Sequence, residues 1–295
     1  MKHAQELREV SVAGALLLVA TVAACTSSGA SQPAGGGSSV TSRVSLTVDG
    51  TQRAYRLFQP SLPAGSRAPL LIVLHGYGDT AESMETSNQF DALATTDHFV
   101  VVYPEGLGGS WNAGSCCGSS QANGVDDVAF IKQVIDSMGS KGAIDVNRVF
   151  VTGFSNGAAM THRLGCELAD RIVAIASVAG ALAINSCNPD RPISVLEVHG
   201  TADTAAPYDG GTDLAGRQFP AITAVMSQWA RLNGCTGDPT ISQSGRITKT
   251  TLWTSCKAST TVRLDTVLGG SHDWFTEPRD PAHTVWAFFS GLKHQ

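Results

Sequence analysis

The stretch that most constrains the fold is Arg148–Gly157, which reads RVFVTGFSNG. Val149, Phe150 and Val151 form a short apolar, β-prone run whose length and flanks suit a buried parallel strand. The run ends in Gly153-Phe154-Ser155-Asn156-Gly157, a G-x-S-x-G pattern, and the AAMTHRLGCELA that follows has the composition and spacing of a helix. Strand, tight turn with Ser at its apex, then helix is the context that gives this motif chemical meaning. The apex residue sits in a strained backbone conformation, and side chains at 153 and 157 would collide with the neighbouring strand and helix. Ser155 Oγ then stands at the carboxyl end of a sheet with a helix amino terminus behind it. Ser155 is read as a nucleophile.

The rest of the chain supplies a sheet for that strand. Ser42–Val48 alternates polar and apolar residues, Asp49-Gly50 offers a hairpin turn, and Arg53–Phe58 returns as an antiparallel partner. Leu70–Leu74, Phe99–Tyr103, Ile172–Val178, Ile193–Val198 and Val262–Val267 read as further strands. Helical spacing falls at Ala81–Thr95, from an Asp126 cap to about Met138, and at Pro281–Leu292. Strands alternating with helices after an antiparallel start predict an α/β domain over residues 41–295, with a mostly parallel sheet, helices on both faces and an N-terminal antiparallel hairpin. Pro104–Val125 is a long Gly-rich connection holding Trp111, Cys116 and Cys117, and loops of that length usually carry function.

The amino terminus reads as an export segment. Lys2 and Arg8 precede the apolar run Val12–Ala24, which is short for a membrane span. Val22-Ala23-Ala24-Cys25 has the form of a bacterial lipobox, so residues 1–24 are read as a lipoprotein signal and Cys25 as the lipidated first residue. Residues 25–40, rich in Gly and Ser, cannot build a core and read as a flexible tether. A plain secretory signal cut near Ala24 is the alternative. Removing Cys25 leaves six cysteines, an even number that suits three disulfides in an oxidising compartment. Cys235 and Cys256 bracket a Gly/Thr/Ser-rich excursion and are expected to pair, stabilising by about 3 kcal/mol. The other four are expected to pair between Cys116/Cys117 and Cys166/Cys187. The cysteines and histidines are not spaced as a zinc site, and a formal charge of −5 with no basic run leaves nucleic-acid binding without a footprint.

A Ser hydroxyl needs a base. His272 lies in Gly269-Gly270-Ser271-His272-Asp273-Trp274, a flexible loop just past the last strand, and is the candidate. His162 and His98 are read as surface or packing residues, and His75 and His199, each before a Gly at a strand end, as turn residues. Asp203 follows Ile193–Val198 in His199-Gly200-Thr201-Ala202-Asp203, and is preferred over Asp213 and Asp273 as the group that orients the base. Ser155, Asp203 and His272 then occur in the chain order that goes with the G-x-S-x-G turn. An oxyanion would be met by the Asn156 N–H and by an N–H from His75-Gly76-Tyr77-Gly78, with Tyr77 the donor and Gly78 the alternative. Trp111 and Trp274, in Gly-rich loops at the presumed site face, are candidates for an apolar acyl or sugar subsite.

The set LHGYGDTAE, VVYPEG with WNAGSCCG, VDDVAFI, GFSNGAAM, HGTADTAAPY and GGSHDW resembles the poly(3-hydroxybutyrate) depolymerase/feruloyl esterase family, lipoprotein esterases of actinobacteria among its members. The resemblance runs from about Ser42 to the carboxyl end. It implies an α/β-hydrolase fold and carboxylic-ester hydrolysis without a cofactor, with the triad on Ser155, Asp203 and His272. Two features depart from the family. No separate domain for binding solid polymer is visible, and Phe154 and Ser271 stand where some feruloyl esterases carry a cysteine pair. The expectation is a secreted, lipid-anchored, monomeric enzyme acting on short hydroxyalkanoate or feruloyl-type esters. Acyl transfer on the same triad and a non-catalytic envelope binding protein are the alternatives. In an actinobacterial host the protein should partition with membranes, and Cys25→Ser should release it or leave its precursor unprocessed; an unmodified mature terminus at another residue would refute the anchor.

Overall fold

The computed structural model describes residues 39–213, 216–244, 248–275 and 280–292. The signal segment, Cys25 and nearly all of the tether lie outside them. The described chain runs β1 (Val40–Val48), β2 (Thr51–Gln59), β3 (Ala68–Leu74), α1 (Ala81–Ser87), α2 (Phe90–Asp97), β4 (Val100–Pro104), α3 (Gly118–Ala122), α4 (Asp127–Ser140), β5 (Ile144–Phe154) and α5 (Asn156–Glu167). It continues through β6 (Ala174–Val178), β7 (Ser194–Gly200), the short β8 (Gly211–Thr212) and β9 (Gln218–Phe219), α6 (Ile222–Leu232), β10 (Thr240–Ser244), β11 (Thr248–Trp253), β12 (Val262–Val267) and α7 (Pro281–Ser290).

The main sheet has ten strands in the order β1-β2-β4-β3-β5-β6-β7-β12-β11-β10. Strands β4, β3, β5, β6, β7 and β12 run parallel, and an antiparallel pair flanks them at each edge. This is the α/β-hydrolase fold. Alternation along the central strands feeds two cores. Leu70, Ile72, Leu74, Val149 and Val151 face α4, α5 and α6, whereas Leu71, Val73 and Phe150 face α1, α2 and α7. Burial on both faces is why these strands read as continuous apolar runs.

Local chemistry accounts for most element ends. Asp49 and Gly50 both have positive φ (47° and 79°), the two-residue turn that lets Val48 pair with Thr51. Asp126 caps α4 by accepting the Ala129 N–H at 2.9 Å. The helical spacing over Ala81–Thr95 is realised as two helices. Asn88 leaves the first in an extended conformation and its Oδ1 accepts the Phe90 N–H at 2.8 Å, opening the second helix and turning Phe90 into the core.

Three features differ from the sequence reading. Ile222–Leu232 forms a helix whose Ile222, Val225, Met226 and Trp229 are buried along one face. The excursion between Cys235 and Cys256 is mostly the β10–β11 hairpin. The third concerns cysteines: Cys235 pairs with Cys256, but Cys166 pairs with Cys187 and Cys116 with Cys117. The expected link between the vicinal pair and Cys166 or Cys187 is therefore corrected. At about 1.5 Å per residue, α5 carries Cys166 some 15 Å away from the serine end of the helix, where the loop between β6 and β7 passes with Cys187. Non-reducing peptide maps should return these three pairs, and replacing Cys166 and Cys187 together by Ala should cost about 3 kcal/mol in a denaturant titration.

Candidate active site

Strand β5 ends at Phe154 and α5 begins at Asn156, so one residue makes the turn. Ser155 has φ 54° and ψ −115° and is held by its N–H to the Val178 carbonyl at 3.0 Å. Such a backbone conformation costs a β-carbon-bearing residue energy and persists only where neighbours over-determine it. They do. A Cβ on Gly153 would come within 2.6 Å of the Gly157 backbone, and one on Gly157 within 2.5 Å of the Leu74 and His75 carbonyl oxygens. Strand, helix and the loop after β3 meet here without room for a methyl group.

Ser155 Oγ lies 2.8 Å from His272 Nε2, and His272 Nδ1 lies 2.8 Å from Asp203 Oδ2. These partners assign the tautomer: Nδ1–H donates to the carboxylate and Nε2 accepts from the serine hydroxyl. Asp203 is buried, and its Oδ1 accepts the Ala205 and Ala206 N–H groups at 2.8 Å each. Burial pushes its carboxyl up, but hydrogen bonds from His199, His272 and the Ala206 N–H outweigh that and hold it well below the usual carboxylate range. Asp213 is instead paired with Arg217, and Asp273 is exposed with Oδ1 accepting the Trp274 N–H. The turns carrying Asp203 and His272 are zipped together. Ala202 N–H donates to the Gly270 carbonyl and Gly269 N–H to Thr201 Oγ1, both at 2.8 Å, and a Cβ on Gly200 would overlap the Gly270 carbonyl.

The loop after β3 passes beside the serine. A Cβ on Gly76 would touch the Phe154 ring at 3.2 Å and Ser155 Cβ at 3.6 Å. Gly78 N–H is spent on the Gly109 carbonyl at 2.8 Å, which removes it as the alternative donor. Tyr77 N–H and Asn156 N–H have no hydrogen-bond acceptor among the described residues, and Asn156 opens α5, where amide donors face outward. A cavity of about 730 Å³ lies elsewhere, at the amino ends of the strands, lined by Arg67, His98, Arg148 and Trp286 among others.

A model of the phospholipase/carboxylesterase family matches residues 61–217, more than half of the chain. The chain belongs to that family. The matched region includes Ser155 and Asp203. Feruloyl esterase B of Piromyces equi is 33% identical over 228 residues, an alignment covering 73% of this chain and 41% of that protein. Poly(3-hydroxyalkanoate) depolymerase C of Paucimonas lemoignei is 34% identical over 138 residues, covering 45% of this chain and 32% of that protein. The chain thus spans less than half the length of either relative. Among solved structures, the acetyl xylan esterase from Aspergillus awamori superposes with a TM-score of 0.65 at 19% identity, covering 84% of this chain and 99% of that one, a likeness of fold.

Within this family member the two tryptophans part company. Trp111 is fully buried, so its expected place in a subsite is corrected. Its indole N–H donates to the His75 carbonyl at 2.9 Å, while the Asn156 side chain brackets its backbone, Oδ1 accepting the Trp111 N–H at 2.7 Å and Nδ2 donating to its carbonyl at 3.0 Å. Trp111 ties the loop after β3 to the start of α5. The rest of its loop is fixed by Asn112 N–H to Asp127 Oδ2 and Arg163 Nη1 to the Asn112 carbonyl, each 2.7 Å, rather than by a disulfide to another element. Trp274 is half-buried against Phe154 and Phe90, with ring centroids 6.1 and 6.3 Å away. The Tyr77 ring is 62% exposed and lies over Gly118.

Behind Asp203 runs a polar row that the sequence reading missed. His199 Nε2 is 3.3 Å from Asp203 Oδ2 and 2.8 Å from the Ala206 carbonyl, and its Nδ1 is 2.8 Å from Glu197 Oε1. Glu197 Oε2 is 3.1 Å from His162 Nε2, and His162 Nδ1 accepts the Trp229 indole N–H at 3.0 Å. All of these side chains are fully buried. Burial alone would lower the His199 pKa, but its bonds to Asp203 and Glu197 raise it from 6.5 to about 9. The trace in the sequence is two polar residues, Glu197 and His199, spaced by two in an otherwise buried strand, and so on one face of it. Gly157→Ala, which forces a methyl against two carbonyls, should cost about 3 kcal/mol or prevent soluble expression, whereas Ala158→Gly one residue on should cost about 1 kcal/mol; equal melting temperatures for the two would contradict this account of the turn.

Proposed function

We propose that this chain is a serine carboxylic-ester hydrolase working through an acyl-enzyme on short hydroxyalkanoate or aromatic-acid, feruloyl-type, esters. The observation that carries this reading is the unbroken row from Ser155 Oγ through His272 to Asp203, beside two unspent amides. Ser155 Oγ bonds the ester carbonyl carbon while His272 Nε2 takes its proton. The carbonyl oxygen, now negative, is met by the Asn156 and Tyr77 N–H groups. As the intermediate collapses, the C–O bond to the alcohol breaks and His272 returns the proton to the leaving oxygen. Water then attacks the acyl carbon with His272 as base, and the carboxylic acid leaves as Ser155 regains its hydrogen. Asp203 keeps the imidazole in the required tautomer throughout.

The substrate class is supported by the activities in the names of the relatives, by the exposed Tyr77 on the loop after β3, and by the Trp274 ring against Phe154, the residue before the serine. Export and a lipid on Cys25 are supported by the apolar segment and lipobox, and three cysteine pairs suit an oxidising compartment. The enzyme is proposed to act as a monomer. A panel of short acyl, hydroxybutyrate-oligomer and feruloyl esters should reveal the preferred class. Against the best of them Ser155→Ala should lower kcat by about 10³-fold or more with the fold unchanged, since the covalent route is gone; turnover above a tenth of wild type would sink the assignment.

A further inference from the structure

The row behind Asp203 fixes the charge of its members by what each atom faces. His162 Nδ1 accepts an indole N–H, so its proton is on Nε2 and it donates to Glu197 as a neutral ring. His199 has no such donor. Its Nδ1 faces a carboxylate oxygen and its Nε2 faces a carbonyl oxygen and a second carboxylate oxygen. A neutral ring would turn a bare lone pair toward oxygen on one side, in a site without exposure. With Glu197 held as a carboxylate by its bonds from both rings, only the doubly protonated ring satisfies both ends.

We infer that His199 is a permanent imidazolium, held between Glu197 and Asp203, which positions the catalytic acid and moderates its pull on His272. The inference rests on the esterase reading for its effect on rate, but not for the charge itself. Two carboxylates and one cation leave the buried row with a single net negative charge. At Asp203 both oxygens are engaged. Oδ1 takes two backbone N–H groups, Oδ2 takes His272, and His199 Nε2, whose hydrogen bond goes to the Ala206 carbonyl, stands 3.3 Å from Oδ2 as an ion-pair partner. The carboxylate can neither rotate nor pick up a proton without breaking one of these bonds, so its orientation toward His272 is set from behind. The cation also weakens the field with which Asp203 attracts a proton onto His272.

The ionisable groups around this unit are few. His199 faces Glu197 on its own strand, Asp203 beyond the strand end, and Tyr208, whose hydroxyl is 2.9 Å from Thr266 Oγ1 on β12. Glu197 faces His162 from α5. His272 faces Asp203 and Ser155, with exposed Asp273 next in the chain. None of these offers a second cation to Asp203.

The test is His199→Gln, which keeps an N–H donor and removes the charge. The acid limb of kcat/KM should move up by about one pH unit, with KM little changed, because a unit charge next to Asp203 has been lost. Ser155 in the variant should still be labelled by a fluorophosphonate above the limb. An unmoved acid limb in a folded variant would overturn the inference. Nitrogen NMR of the wild-type imidazoles supplies an arm that needs neither substrate nor a folded variant. Near neutral pH both His199 ring nitrogens should carry protons, and a single protonated nitrogen would overturn the inference. Absence of ester turnover and of Ser155 labelling in wild type would instead overturn the esterase reading, leaving the NMR result to stand.

Discussion

The site depends first on how closely three backbone segments approach at the turn after β5. Gly153, Gly157 and the carbonyls of Leu74 and His75 are packed so tightly that a methyl group on either glycine has no place. That contact forces Ser155 into its positive-φ conformation, and it brings the loop after β3 alongside that serine. The strained serine and the unspent amides are thus products of one packing event. The Asn156 side chain and the Trp111 indole extend it, so the long Gly-rich loop is bonded to the same point from the far side. An energy penalty at one residue is held in place by hydrogen bonds spread over four segments, which is how strained positions survive in native structures.

The opposite half of the site follows another rule. Asp203 and His272 sit on turns beyond β7 and β12, neighbours in the sheet, and the polar row behind them passes from β7 to α5 and α6 through an otherwise apolar layer. Isolated buried charges are costly, and such groups persist when paired and fully hydrogen-bonded. Here each member bonds the next, and the row ends in a Trp indole that needs only to donate. The layer between sheet and helices is thereby both hydrophobic core and support for the acid. A substitution at His162 or Trp229, distant from the serine, changes what Glu197 can hold.

Much of this was legible in the residues. The G-x-S-x-G turn, the apolar parallel strands, the Asp-Gly hairpin and the Asp126 cap are local signals, and local signals carry their own geometry. The structure brings Ser155, His272 and Asp203 into hydrogen-bonding contact, as their order along the chain suggests. What escaped was decided by tertiary contact. His199 looked like a turn residue because nothing adjacent in sequence announces that Glu197 and Asp203 will flank it. Trp111 looked like a surface aromatic because its loop is rich in Gly, whereas its burial comes from Asn156 and His75, some forty residues to either side. The cysteine pairing turned on which end of α5 holds Cys166, a matter of helix length and direction rather than composition. Helix α6 is different: its apolar residues recur at helical spacing, and the signal was present but overlooked between loops rich in Gly and Pro.

The zipped turns at Gly200 and Gly270 have a further consequence. Because the Asp203 and His272 loops touch backbone to backbone at Gly200 and Gly270, their separation behaves like a fixed ruler. Ser155 and the free Asn156 and Tyr77 amides form a second rigid body around β5 and α5. Between the two bodies the Ser155–His272–Asp203 row has one adjustable joint, the 2.8 Å step from Ser155 Oγ to His272 Nε2. It is spanned in the sheet by β6, the strand standing between β5 and β7, and alongside it by the His162–Glu197 bond and the Phe154 ring against His272. The backbone ladders of that strand, each spacing its neighbour by about 4.8 Å, are therefore the spacer that sets how far His272 stands from Ser155.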